Sequence, residues 1–317
     1  MNTLCMESGF VSLNKQGEDL CGDFFTTVSD DDTTTFVLSD GMGSGVKANI
    51  LATLTAKILA TMTANHLSIR DSVTTLAQTL PVCSVRKLAY STFTLMQVLP
   101  DWQVYLAQFD NPQAILLRDG KSVEYPTQEL MVGDKRILES RLTLQSGDVF
   151  LLMTDGVTHA GLGNLIPDGW QREGVLQYVE EIYTPDLSAK NLATRVADAC
   201  RDLYLERIDD DVTVAVFKMR TRQAVNLLVG PPRQQKDDEA FMHRFFASEG
   251  THIVCGGSTA QMVSRYLGRQ LIISEDYVDP DIPPVAKIRG IDLVTEGIVT
   301  LSRVLEMADR YASSQSI

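Results

Sequence analysis

The chain has 317 residues, 44% of them hydrophobic, enough for one large core or for a large domain followed by a small one. Its formal net charge of −13 argues against nucleic acid and anionic membranes as partners, although cations can still bridge an acidic protein to a phosphate. The five cysteines, Cys5, Cys21, Cys83, Cys200 and Cys255, lie far apart without a CxxC pair, so neither a disulfide framework nor a zinc cluster is expected. The N-terminal MNTLCMESGF has no basic or apolar leader pattern, and no apolar run approaches the ~20 residues of a membrane helix. A cytoplasmic protein with reduced thiols is the expectation.

In chain order, TTTFVL from Thr33 to Leu38 predicts a strand running into the turn SDGMGSG, with a helix from Val46 to Ala64 after it. Ile50, Leu51, Leu54, Ile58, Leu59 and Met62 recur at helical spacing, which predicts one buried stripe. A second helix is expected from Ile69 to Leu80, stopped by Pro81. Between Ser91 and Leu144 the pattern becomes short β runs, STFTLMQV, WQVYLAQF, QAILLR, SVEYP and RLTL, with a hairpin turn at Asp119 and Gly120. VFLLM at Val149 to Met153 suits a strand buried on both faces, and it delivers Thr154, Asp155 and Gly156 to its end. Helices from Gly174 to Tyr183 and from Ser188 to Leu205 precede VTVAVFKM, a strand led in by Asp209, Asp210 and Asp211. That strand closes a first domain, residues 1–219. From 220 to 317, with the boundary at Arg220 to Ala224, alternating strands and helices predict a small α/β domain.

Three aspartates stand at the ends of predicted strands: Asp40 in DGMGSG, Asp155 in TDG and Asp210 in DDDVTV. Asp23, in CGDFF, is a fourth. Hard cations such as Mg²⁺ and Mn²⁺ take oxygen ligands, so aspartates without histidine suit them. His66, His159, His243 and His252 lack the spacing of a zinc hydrolase. A glycine after an aspartate, at Gly41 above all, lets the backbone approach closely and frees a carbonyl as a ligand. Taken singly, Asp-Gly pairs are ordinary turns and DDD an ordinary solvated loop. Three glycines and a serine between a buried strand and a helix call for a further reason.

The ordered set Gly22-Asp23, Asp40 to Gly45, Thr154 to Gly156 and Asp210 to Thr213 resembles the stage II sporulation protein E family, a bacterial branch of the type 2C metal-dependent protein phosphatases. The resemblance spans roughly the first two thirds of the chain. It implies an α+β fold, a four-layer α-β-β-α sandwich of two antiparallel sheets, here followed by the small α/β C-terminal domain. It also implies that Asp40 bridges two Mn²⁺ or Mg²⁺ ions, that Gly41 offers its carbonyl, that Asp155 and Asp210 complete one ion, and that Asp23 completes the other. Glu18 and Asp19 compete for the role of Asp23, and Asp211 for that of Asp210. Turnover, depending on Asp40 and Asp155, would be the hydrolysis of phosphoserine or phosphothreonine on a bacterial regulatory phosphoprotein by a water held between the ions, without a cysteine or serine nucleophile. The histidine that eukaryotic relatives place after the bridging aspartate is missing, because Met42 and Gly43 stand there. His159 offers itself as a substitute, and Arg86 and Lys87 as phosphate anchors.

The alternative is a phosphatase-like regulatory module that binds a partner or a small anion without turnover. A small anion is also expected at the second-domain turn CGGSTA. There Gly256 and Gly257 permit close approach, Ser258 and Thr259 add hydroxyls, and the next helix supplies free N–H groups, with Lys287 and Arg289 as counter-charges.

Overall fold

The computed structural model describes residues 4–30, 32–79, 91–273 and 283–313, with side chains as far as 310. The chain divides into two compact units, one ending at Thr221 and the next beginning at Arg222. Leu80 and Pro81, where the second helix was expected to stop, lie outside the described residues, as do Arg86 and Lys87.

The first unit runs β1 (Leu4–Leu13), β2 (Asp23–Ser29), β3 (Thr34–Gly41), α1 (Gly45–Ala64), α2 (Ile69–Thr79), β4 (Ser91–Val98), β5 (Gln103–Phe109), β6 (Ile115–Arg118), β7 (Lys121–Ser122), β8 (Gln128–Val132), β9 (Lys135–Thr143), β10 (Asp148–Met153), α3 (Asp155–Thr158), α4 (Gln171–Ile182), α5 (Ala189–Leu203) and β11 (Val212–Thr221). Its strands form two antiparallel sheets, ordered β1-β11-β10-β6-β7 and β2-β3-β4-β5-β9-β8.

Side-chain alternation at period two sets the layers. Along β11, Val212, Val214 and Val216 pack with α4 and α5, while Ala215, Phe217 and Met219 face the second sheet, where Phe36, Leu38, Met96 and Leu106 meet them. The outer face of that second sheet, with Val37, Leu95 and Ile137, receives Ala56 and Leu59 of α1 and Val73 and Leu76 of α2. Helices, sheet, sheet, helices is therefore the order, as expected. The continuous apolar run of β10 has the same explanation, since Val149, Leu151 and Met153 face the helices and Phe150 and Leu152 the other sheet.

Helix α1 differs from its predicted stripe. Its buried residues are Gly45, Ala48, Ala52, Thr55, Ala56, Leu59, Ala60 and Thr63. Of the six residues expected inside, only Leu59 is fully buried; Leu51, Ile58 and Met62 are half-buried, and Ile50 and Leu54 are 51% and 42% exposed. The cause is proximity: a Cβ on Gly41 of β3 would lie 1.9 Å from the Ala48 carbonyl oxygen, so the helix sits where mostly small side chains fit beneath it. The expected hairpin turn is present, with Asp119 and Gly120 at φ 50 and 79 joining β6 to β7, a pair of positive angles that suits the twist of a two-residue hairpin.

The second unit contains β12 (Val225–Val229), α6 (Asp238–Ala247), β13 (Thr251–Cys255), α7 (Gly257–Leu267), β14 (Leu271–Ile273), β15 (Ala286–Ile288), β16 (Leu293–Thr295) and α8 (Ile298–Ser313). The sheet order is β12-β13-β16-β15-β14, parallel across its first three strands. Leu228, Val254 and Val294 bury one face against Met242 and Phe245 of α6 and Met262 and Val263 of α7. Among the described residues, no helix is long and apolar enough to cross a membrane.

Candidate metal centre

The two sheets of the first unit bring four carboxylates to one place. Asp23 opens β2 and lies opposite Asp40 in antiparallel register. Asp155 begins α3 immediately after β10 and Thr154, and Asp210 stands two residues before β11. Asp40, Gly41, Asp155 and Asp210 line an open cleft of about 250 Å³, together with Met42, Gly43 and Thr92.

Asp23 is only 4% exposed and is held by threonines. Thr154 Oγ1 donates to Asp23 Oδ2 at 2.9 Å and accepts from the Thr213 N–H at 3.0 Å, while the Thr154 N–H donates to the Thr213 carbonyl at 3.1 Å. Asp23 Oδ1 is buried with no hydrogen-bond partner. Such an oxygen is costly to bury unless it is protonated or meets a cation.

The electrostatics agree with that reading. Burial pushes Asp40 up to about 9, and the charges of Asp23, Asp155 and Asp210 add to the rise. Burial raises Asp23 to about 8, against the polar groups of Thr213 and Thr154 beside it, which favour its charged form. Asp210 is raised too, by burial first and by Asp155 second. Among the described residues, no lysine or arginine pairs with these four aspartates or lines the cleft. Oxygen donors, surplus negative charge and an orphaned acceptor together fit divalent cations of the Mg²⁺ or Mn²⁺ kind.

Two of the competing carboxylates have other partners, since Glu18 Oε1 accepts from Ser44 Oγ at 2.9 Å at the start of α1 and Asp211 Oδ1 accepts from the Lys15 N–H at 2.9 Å, while Asp19 is exposed. Gly41 and Gly156 have packing reasons of their own, since a Cβ on Gly156 would lie 2.0 Å from the Asp211 carbonyl oxygen. Three positioning residues escaped the sequence reading. Thr154 and Thr213 sat unused inside the TDG and DDDVT motifs, and Tyr204, whose hydroxyl donates to the Gly156 carbonyl at 2.8 Å, left no signal at all. His159 follows α3, with Nδ1 3.8 Å from Asp155 Oδ2.

In the second unit, Gly256 precedes α7 at φ 102, Gly257 opens the helix and Ser258 is exposed. Thr259 is buried, and its Oγ1 accepts from the Gly230 N–H at 3.0 Å.

Two antiparallel sheets enclosed by helices, with carboxylates gathered at strand ends, define the fold of type 2C protein phosphatases. The chain belongs to the stage II sporulation protein E (SpoIIE) family, whose profile matches residues 30–220. It is similar to the solved PP2C phosphatase domain, with a fragment of the regulatory domain, of the cell fate determinant SpoIIE from Bacillus subtilis, at 19% identity and TM-score 0.58, covering 70% of this chain and 65% of that one. A second structure of the SpoIIE phosphatase domain from Bacillus subtilis aligns at 18% identity and TM-score 0.53, over 71% of this chain and 96% of that one. The RsbU and RsbW domains of Rv1364c from Mycobacterium tuberculosis align at 15% identity and TM-score 0.54, over 77% and 68%. At these identities the likeness shows the fold alone. No curated protein sequence gives a significant match.

Proposed function

We propose that the first unit is a protein serine/threonine phosphatase acting on phosphoserine or phosphothreonine of a bacterial regulatory protein, with two Mn²⁺ or Mg²⁺ ions held by Asp23, Asp40, Gly41, Asp155 and Asp210. The carrying observation is the gathering of carboxylates with no lysine or arginine paired to them among the described residues, one of them with an orphaned buried oxygen. The ions, when bound, would supply positive charge for a phosphate dianion and an acidified water.

What the chain contributes follows from placement. Asp40 lies within electrostatic reach of Asp23, Asp155 and Asp210, which suits it to be shared between two ions. Thr154 and Thr213 hold Asp23 so that Oδ1 stays available, and Tyr204 anchors the turn that presents Asp155. No cysteine or serine lines the cleft among the described residues, and Thr92 donates its hydroxyl to Asn111, so water is the nucleophile in this reading. The free thiols of Cys5, Cys21, Cys200 and Cys255 support a cytoplasmic setting. The test is hydrolysis of an aryl phosphate and of a phosphoserine peptide by the full chain with Mn²⁺, then with excess chelator, then with Mn²⁺ restored. Activity should vanish and return. No hydrolysis in any state, with Mn²⁺ still bound, would leave a binding module instead.

For a small anion at Gly256, Gly257, Ser258 and Thr259 the support is position, at the carboxyl ends of adjacent parallel strands. Thermal shift of the full chain with inorganic phosphate, against Gly257→Val, decides between a ligand turn and an ordinary strand-to-helix turn.

A further inference from the structure

His159 has no part in the reading above, yet it stands beside two of its carboxylates. The His159 N–H donates to the Asp155 carbonyl at 2.8 Å, which closes one helical turn and puts the two side chains on the same face. Nδ1 lies 3.8 Å from Asp155 Oδ2, with the side chains 44% and 43% exposed. Asp210 completes the group, because one ligating atom from each of Asp155, His159 and Asp210 falls within 4.8 Å of the others. An ion with bonds of about 2.1 Å holds neighbouring donors about 3.0 Å apart and opposite donors about 4.2 Å apart. The Asp155–His159 spacing already lies between these. Neither ring nitrogen of His159 makes a hydrogen bond among the described residues, so no other group fixes the imidazole.

We propose that His159 is a nitrogen ligand to the ion held by Asp155 and Asp210, and that it biases this site towards Mn²⁺ over Mg²⁺. The proposal rests on the metal reading of the carboxylates. An all-oxygen set accepts either ion, whereas imidazole favours first-row transition ions and gives little to Mg²⁺, which prefers oxygen and keeps its waters. The residue at position 159 therefore sets metal preference.

The test uses the full chain with substoichiometric Mn²⁺, read by pulsed electron paramagnetic resonance for ¹⁴N coupling and by calorimetry for affinity, in wild type, His159→Ala and Asp155→Asn. Circular dichroism melts confirm that each variant is folded. The wild type should show nitrogen coupling that His159→Ala loses, and that variant should bind Mn²⁺ about 10-fold more weakly while its Mg²⁺ affinity changes less than about 2-fold. Absence of nitrogen coupling in the wild type, or an equal fall for both ions, overturns the proposal. Asp155→Asn separates the two layers of inference. If it abolishes Mn²⁺ binding while His159→Ala changes neither affinity, only the histidine ligand falls; if it leaves Mn²⁺ binding intact, the carboxylate reading itself fails.

Discussion

Two strand–glycine–helix turns, DGMGSG between β3 and α1 and CGGSTA between β13 and α7, look alike as sequence and differ as chemistry. At the first, Gly41 has no room for a side chain, and the aspartate before it is pushed up by burial and by neighbouring acids. At the second, a side chain on Gly257 would meet nothing within 4 Å. Two polar pairs beside it are already matched: Thr259 receives the Gly230 N–H, and Cys255 Sγ lies 2.9 Å from Thr295 Oγ1. A glycine-rich turn reads as a site when charge beside it is left unpaired. Glycine alone does not make the distinction.

The largest effect should come from adding one methyl group at each turn. Gly41→Ala puts Cβ against the Ala48 carbonyl oxygen, which α1 can escape only by lifting off the sheet, so a loss of about 3 kcal/mol or more is expected in urea unfolding, or no folded protein at all. Gly257→Ala meets open space in the first turn of α7 and should change stability by less than about 1 kcal/mol. Comparable losses at both positions would erase the contrast.

Next in size is the loss of charge at the first turn. Asp40→Asn and Asp155→Asn should each lower Mn²⁺-dependent turnover by about 10³-fold or more, since in the proposed centre each would remove a ligand and a charge where cations would meet the phosphate. Asp40→Asn should nevertheless melt no lower than wild type in chelator, because a neutral amide replaces an acid whose ionisation its neighbours resist. Near-normal turnover in either variant would remove that residue from the site.

A smaller effect, confined to the first turn, is a pH dependence of stability without metal. Asp23 and Asp40 are raised in the folded chain to about 8 and about 9 from an unfolded value near 3.8, so the folded state holds protons that the unfolded state has released. Their contribution is fully present below the unfolded value and is lost as pH rises through about 8 and 9. In excess chelator the melting temperature should therefore fall between pH 6 and pH 9, less steeply in Asp40→Asn, and saturating Mn²⁺ should flatten the fall by replacing protons with ions. A chelated protein whose melting temperature rises over that range would contradict the burial and mutual repulsion of these acids.

Much of this contrast was open to a sequence reading, and the remainder was closed for physical reasons. Strands β3, β4, β10 and β11 announce themselves because both of their faces are buried and their sequences are rich in apolar and β-branched residues. Strand β1 pairs only with β11 at a sheet edge, with Glu7 and Ser8 in its middle, and β8, β15 and β16 are short, so none of them carries a readable period. The stripe on α1 was misread because hydrophobicity marks what gains from burial, whereas the closeness of α1 to Gly41 decides what fits. For the site, the motifs point to the aspartates one by one. That Asp23 faces Asp40 across a ladder, or that Thr154 reaches Asp23 from the other sheet, depends on how the sheets meet, which local pattern does not encode.

The smallest expected effects separate Ser258 from Thr259 inside the second turn. Both were read as hydroxyl donors for an anion, but Thr259 is buried and receives the Gly230 N–H, which ties the end of β12 to the start of α7. Thr259→Val keeps the shape and leaves that N–H without an acceptor, at a cost of about 1–2 kcal/mol, and Thr259→Ser should recover most of it. Ser258 is exposed, and α7 has no side-chain cap, so Ser258→Ala should change stability by less than about 0.5 kcal/mol. Hydrogen exchange at the Gly230 amide reads the bond directly, which avoids assuming that two units unfold in one step. Exchange should quicken in Thr259→Val and stay unchanged in Ser258→Ala. If Ser258→Ala alone alters the response to added phosphate, its hydroxyl serves a ligand; if only Thr259→Val changes anything, the turn is held for structure.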